Sequence, residues 1–137
     1  MPEHKLISLC LETSDRIVVN VTLLKEASHY KMRTEYLKED DKIKETNDEV
    51  ARNLVYQLFG NLEIADFEGL NDLEANSIGS LKVYYGSHDY LERHFDQETL
   101  KKSNELKEVI ISLLEFVDNS IAVSYTHLRA HETREDL

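Results

Sequence analysis

A chain of 137 residues has room for one packed core. Its formal net charge of −11 and pI near 4.9 tell against a nucleic-acid partner, because phosphates would be repelled. The single cysteine, Cys10, excludes an internal disulfide and suits a reducing compartment. The apolar run at residues 6–11 is broken by Ser8 and is too short for a signal-peptide core. No segment approaches the roughly 18–20 apolar residues that span a bilayer, so the expectation is a cytoplasmic protein with no membrane contact.

Residues 5–12 (KLISLCLE) alternate, with Ile7, Leu9 and Leu11 on one side and Ser8, Cys10 and Glu12 on the other. After the polar break Thr13-Ser14-Asp15, residues 16–25 set Ile17, Val19, Val21 and Leu23 on one face. Their β-branched content favours a strand over the helix that a cap at Ser14 would start. Residues 29–36 alternate again, Tyr30, Met32, Thr34 and Tyr36 opposite Lys31, Arg33 and Glu35. Three such runs on short polar connections predict an antiparallel meander with one wet face.

Residues 38–49 (KEDDKIKETNDE) hold one apolar side chain, Ile43, and read as a solvated loop. Thr46 followed by Glu49 makes a capping box, which predicts a helix with Val50, Ala51, Leu54, Val55, Leu58 and Phe59 inward and Gly60 at its end. All 4 glycines fall between residues 60 and 86, so the middle of the chain is turn-rich. Residues 62–67 suit a short strand, 68–79 a loop and 80–85 (SLKVYY) a fourth strand. Residues 87–95 fit either a hairpin extension or the start of the last helix. That helix is predicted over residues 96–119, capped by Asp96, with Leu106, Val109, Ile110, Leu113, Leu114, Phe116 and Val117 in one stripe.

The fold expected from these elements is α+β: an antiparallel three- or four-stranded sheet with two amphipathic helices packed on one face. Residues 1–121 form the single domain. Residues 122–137 depart from the pattern. Val123 through Thr133 (VSYTHLRAHET) resemble a translated sequencing adaptor, and Arg134, Glu135, Asp136 and Leu137 fit the barcode and constant bases beyond it. The resemblance implies that the natural sequence ends at about Ile121, with the domain either standing alone or forming the N-terminal part of a longer protein. It also removes His127 and His131 as a metal pair.

Of the remaining histidines, His88 and His94 with Asp89 come nearest to a ligand cluster, but they lack the further spaced His and Asp of metal phosphohydrolases. Surface or strand-end histidines are the simpler reading. Asp66, Glu68, Asp72 and Glu74 could hold a hard cation, yet they lack the ladder, central glycine and closing Glu of a calcium loop. Cys10 has no cationic neighbour in sequence and reads as a small buried side chain rather than a nucleophile. Tyr84 and Tyr85 must face opposite sides of a strand, and an exposed tyrosine suits a binding surface as well as a sheet face.

The function expected is a non-enzymatic acidic interaction module, an inhibitor, immunity-like or adaptor protein that binds a protein partner with a basic surface. The partner-binding candidates are Asp40, Asp41, Glu45, Tyr84, Tyr85 and Tyr90, with no cofactor and no catalytic residue. Two alternatives stand beside it. One is the non-catalytic N-terminal domain of a truncated enzyme. The other is a small metal-dependent hydrolase using His88, Asp89 and His94.

Overall fold

The structure is a computed structural model that describes residues 3–13, 16–70, 77–86 and 89–118. Its strands are β1 (His4–Glu12), β2 (Ile17–Glu26), β3 (His29–Lys38), β4 (Asp41–Val50), β5 (Gly79–Tyr85) and β6 (Asp89–Phe95). Its helices are α1 (Arg52–Ile64), between β4 and β5, and α2 (Gln97–Lys102) and α3 (Asn104–Leu114), after β6. The strands form one antiparallel 6-stranded sheet in the order β4-β3-β2-β1-β5-β6.

Register fixes the two faces. Leu9 pairs with Val21 and Leu81, and Val21 with Thr34, while Leu11 pairs with Val19, itself opposite Tyr36. All of these side chains are buried, on the face that the helices cover. The core closes between them and Val55, Leu58, Leu100, Leu106, Val109, Ile110, Leu113 and Val117. Of the helix residues expected inward, Leu54, Phe59 and Phe116 are half-buried and Ala51 is exposed. The other face carries Ser8, Cys10, Asn20, Thr22, Arg33, Glu35, Lys82 and Tyr84 and has no helix over it among the described residues.

Among the described residues the sheet therefore has six strands, where three or four were expected, and three short helices accompany it, where two were expected. The strands added are β4 and β6, the two edges. Residues 41–50, expected as a loop, form β4, and nearly every side chain there is exposed. Thr46 and Glu49 lie within that strand and do not cap a helix; α1 starts at Arg52 with Ala51 at its N-cap, makes no side-chain cap bond and runs on through Gly60. Residues 62–67, expected as a strand, are the last turn of α1 and the start of a 3-10 turn at Phe67–Gly69. The last helix is interrupted at Ser103. Its backbone is extended (φ −127°, ψ 101°), and its hydroxyl accepts from the Leu106 amide at 3.2 Å. Asp96 caps α2 as expected, accepting from Thr99 N at 2.8 Å. The adaptor-like stretch 122–137 lies outside the described residues, as do His88, Asp72 and Glu74. No helix among the described residues is long and apolar enough to cross a membrane.

Candidate functional site

Where α1 ends, the chain turns back sharply toward β5. Ala65 keeps helical geometry, and Asp66 then takes the left-handed conformation at φ +52°. The Gly69 amide donates to the Asp66 carbonyl at 2.9 Å, closing the turn. A Cβ on Gly69 would lie 2.3 Å from Asp66 Oδ2, so only glycine leaves room for that carboxylate to fold over the turn. The turn presses Phe67, 4% exposed, into the core.

A groove of about 460 Å³ runs between this turn and β5. Its floor is apolar: Phe59, Leu62, Phe67 and Val83. Its rim is acidic: Glu63, Asp66 and Glu68. Tyr85 forms one wall, and its hydroxyl donates to Glu68 Oε1 at 3.3 Å. Burial pushes the Tyr85 hydroxyl above the usual phenol range, helped by the Glu68 charge. On the far side, Arg93 of β6 donates from its guanidinium to the Glu68 carbonyl at 3.0 Å and to the Glu92 carbonyl at 3.1 Å, which ties the turn to the sheet edge. The last turn of α1 carries no basic residue, so the negative end of that helix adds to the carboxylates. A cationic group with an apolar stem matches both parts of the groove.

The sequence-derived candidates separate in space. Tyr84 and Tyr90 face each other across β5 and β6 on the uncovered face, with ring centroids 5.5 Å apart. Lys5 lies 5.9 Å from the Tyr84 ring and Lys82 4.8 Å from the Tyr90 ring, so this patch is locally basic. Tyr85 alternates to the helix side, and the groove takes it together with part of Tyr84. Asp40 and Asp41 sit at the β3–β4 turn, beyond the opposite edge of the sheet. Glu45 of β4 accepts from Lys42 at 2.7 Å and from Asn47 at 2.9 Å, and lies 3.8 Å from Arg33. The bonds from Lys42 and Asn47 hold its carboxyl below the usual range. Glu45 is part of an ion-paired carpet with Glu3, Lys31, Arg33 and Glu35.

Asp89 and His94 stand five positions apart on one strand and so point to opposite faces of β6. They do not converge. Among the described residues no group of three or more His, Cys, Asp and Glu is placed to hold a metal ion. Of the acidic cluster read from the sequence, Asp66 and Glu68 reach the groove rim. Cys10 is half-buried on the uncovered face, and burial raises its thiol above the usual range, away from the nucleophilic thiolate.

Sequence reasoning missed Phe59, Glu63 and Phe67 as groove residues. The available signal was Gly69 three residues after Asp66, the spacing of a tight turn that brings Phe67 under the end of α1. No family model matches this chain, and no curated protein or solved structure does either.

Proposed function

We propose that the protein is a non-catalytic, acidic interaction module that captures a protein partner by a basic protrusion, an arginine or lysine flanked by apolar residues. One observation carries this reading: the groove joins the apolar floor of Phe59, Leu62, Phe67 and Val83 to a carboxylate rim of Glu63, Asp66 and Glu68. The net charge of −11 attracts such a partner from a distance, and the groove seats it. A reducing compartment such as the cytoplasm suits a chain with one cysteine.

The test uses two synthetic peptides of alternating arginine and leucine, the second with citrulline, the neutral isostere, in place of each arginine. The protein, with its aromatic rings labelled for NMR, is titrated with each. The arginine peptide is expected to shift the ring signals of Phe59, Phe67 and Tyr85, and the citrulline peptide to leave them in place. Replacing Glu63 and Asp66 by Gln and Asn should weaken the arginine peptide about tenfold or more, two charge-assisted contacts being lost. Equal effects of the two peptides, or shifts confined to other surfaces, overturn the reading.

A further inference from the structure

Strand β4 is the terminal strand of the sheet, and among the described residues only β3 pairs with it. Its inner face is Lys44, Thr46 and Asp48, placed by their partners Tyr36, Thr34 and Met32 on the side that elsewhere forms the core. The helices do not extend over them. Lys44 and Asp48 are exposed, and an open trough of about 410 Å³ lies between this face and residues 115–118, bridged by the Lys44–Asp118 pair. Thr46 Oγ1 is buried and has no hydrogen-bond partner among the described residues. A buried hydroxyl left unpaired costs free energy that a partner would return.

We propose that this edge is the self-association surface of the protein: two copies pair their β4 strands antiparallel about a two-fold axis at Thr46, and the sheet runs on from one copy into the next. The sequence of β4 is self-complementary about that residue. Lys44 comes opposite Asp48 of the second copy, Glu45 opposite its Asn47, and the two threonines face each other, where a χ1 rotation brings their hydroxyls within bonding reach. By the two-fold, each unlike pair occurs twice. Neighbouring registers lack this match. An axis at Glu45 sets that carboxylate against itself, and one at Asn47 sets Glu45 against Glu49. Lys44 already holds Asp118 at 2.6 Å, but an ammonium has three donors and can take the second carboxylate as well.

Lysines on an edge strand ordinarily keep other strands away. Here each meets an aspartate. The bulge at Ile43, which the register of β3 with β4 skips, limits the pairing to a short central stretch. The interface is thus small and the dimer a weak one. The other edge, β6, is less open, because Arg93 holds the Phe67–Gly69 turn beside it through the Glu68 carbonyl.

The inference does not depend on the groove, and its test is separate. Sedimentation velocity is run at ~100 μM protein in roughly 0.15 M salt, where charges beyond about 8 Å are screened. The wild-type protein should show a concentration-dependent mass above that of the monomer. Asp48→Lys places lysine against Lys44 and should weaken association about tenfold or more; Lys44→Asp places aspartate against Asp48 with the same result. An equimolar mixture of these two variants should regain the dimer, because each strand then meets its opposite. Thr46→Cys in a Cys10→Ser background should form an intermolecular disulfide under mild oxidation. A wild-type protein that stays monomeric, or an Asp48→Lys variant that associates as well as wild type, overturns the proposal. So does a mixture no more dimeric than its components.

Discussion

The buried hydroxyl of Tyr36 accepts a hydrogen bond from the Asp118 amide at 2.7 Å, which fastens the chain beyond α3 to β3, the strand beside the sheet edge. Two further contacts act at the same place. Thr34 Oγ1 donates to the Phe116 carbonyl at 3.3 Å, and Lys44 pairs with Asp118 at 2.6 Å while lying 5.5 Å from the Tyr36 ring. Tyr36→Phe keeps the ring and removes the acceptor, leaving the amide to find another. The variant should lose about 1–2 kcal/mol in denaturant unfolding. Amide exchange should quicken at residues 116–118 more than in β1 or β2. An unchanged midpoint would mean that the hydroxyl is not holding this end of the chain.

The core between α3 and the sheet centres on Leu113, which is fully buried beside Ile110 and Val109. Leu113→Ala should cost about 2–5 kcal/mol, because the transfer free energy is lost and a rigid sheet cannot close the cavity. A loss below ~1 kcal/mol would show a stripe that faces solvent.

The turn between β3 and β4 places two non-glycine residues, Glu39 at φ +52° and Asp40 at φ +69°, in the left-handed region. Lys38 pairs with Asp41 across it, so this is a two-residue hairpin of the type that favours Asn-Gly. Replacing Glu39 by Asn and Asp40 by Gly should raise stability by roughly 1 kcal/mol, less the entropy that glycine adds to the unfolded chain. Thermal unfolding at fixed protein concentration measures it, and a fall in midpoint would argue against this turn geometry.

That turn also explains what the sequence hid. Strands β1, β2 and β3 were legible because each buries one face, so apolar residues recur at every second position. Strand β4 is wet on nearly all sides, and its ten residues include only Ile43 and Val50 as large apolar side chains. With no Asn or Gly at its turn, neither periodicity nor punctuation marks it, and Thr46 with Glu49 imitates a helix start. In β6 the inward positions include Arg93, whose guanidinium reaches the backbone of a distant turn, so the apolar alternation fails there too. The break at Ser103 is masked because the apolar stripe continues across it. The groove was the least legible feature, since it depends on where a loop carries Phe67.

Glu3 lies across the uncovered face and accepts from Arg33 at 2.7 and 2.9 Å and from Lys31 at 2.6 Å. The Arg33 and Lys31 bonds pull its carboxyl down to about 2. A depressed folded-state value means that its stabilising contribution is complete above the ordinary carboxylate range and is lost as pH falls toward 2. An NMR titration of the Glu3 carboxyl carbon should give a midpoint near 2. Arg33→Gln should move it up toward the ordinary range; a midpoint already there in the wild-type protein would show that the N-terminal residues do not rest on β3.

The acidic groups should divide in their effect on a basic partner. Glu45 is held by Lys42, Asn47 and Arg33, so neutralising it removes little that a partner could meet. Asp40 and Asp41 stand at an exposed turn far from the groove and act only through space, within a screening length of about 8–10 Å. Asp66 and Glu63 border the apolar floor, where a bound cation loses water and the attraction is less screened. With the arginine–leucine peptide as ligand, neutralising Asp40 and Asp41 should lower the association rate by no more than a few-fold, an effect that added salt erases. Neutralising Glu63 and Asp66 should instead raise the dissociation rate, and that rise should persist at high salt. Stopped-flow kinetics at two salt concentrations separates the two pairs. A dissociation rate that responds to Asp40 and Asp41 but not to Glu63 and Asp66 would move the contact from the groove to the hairpin.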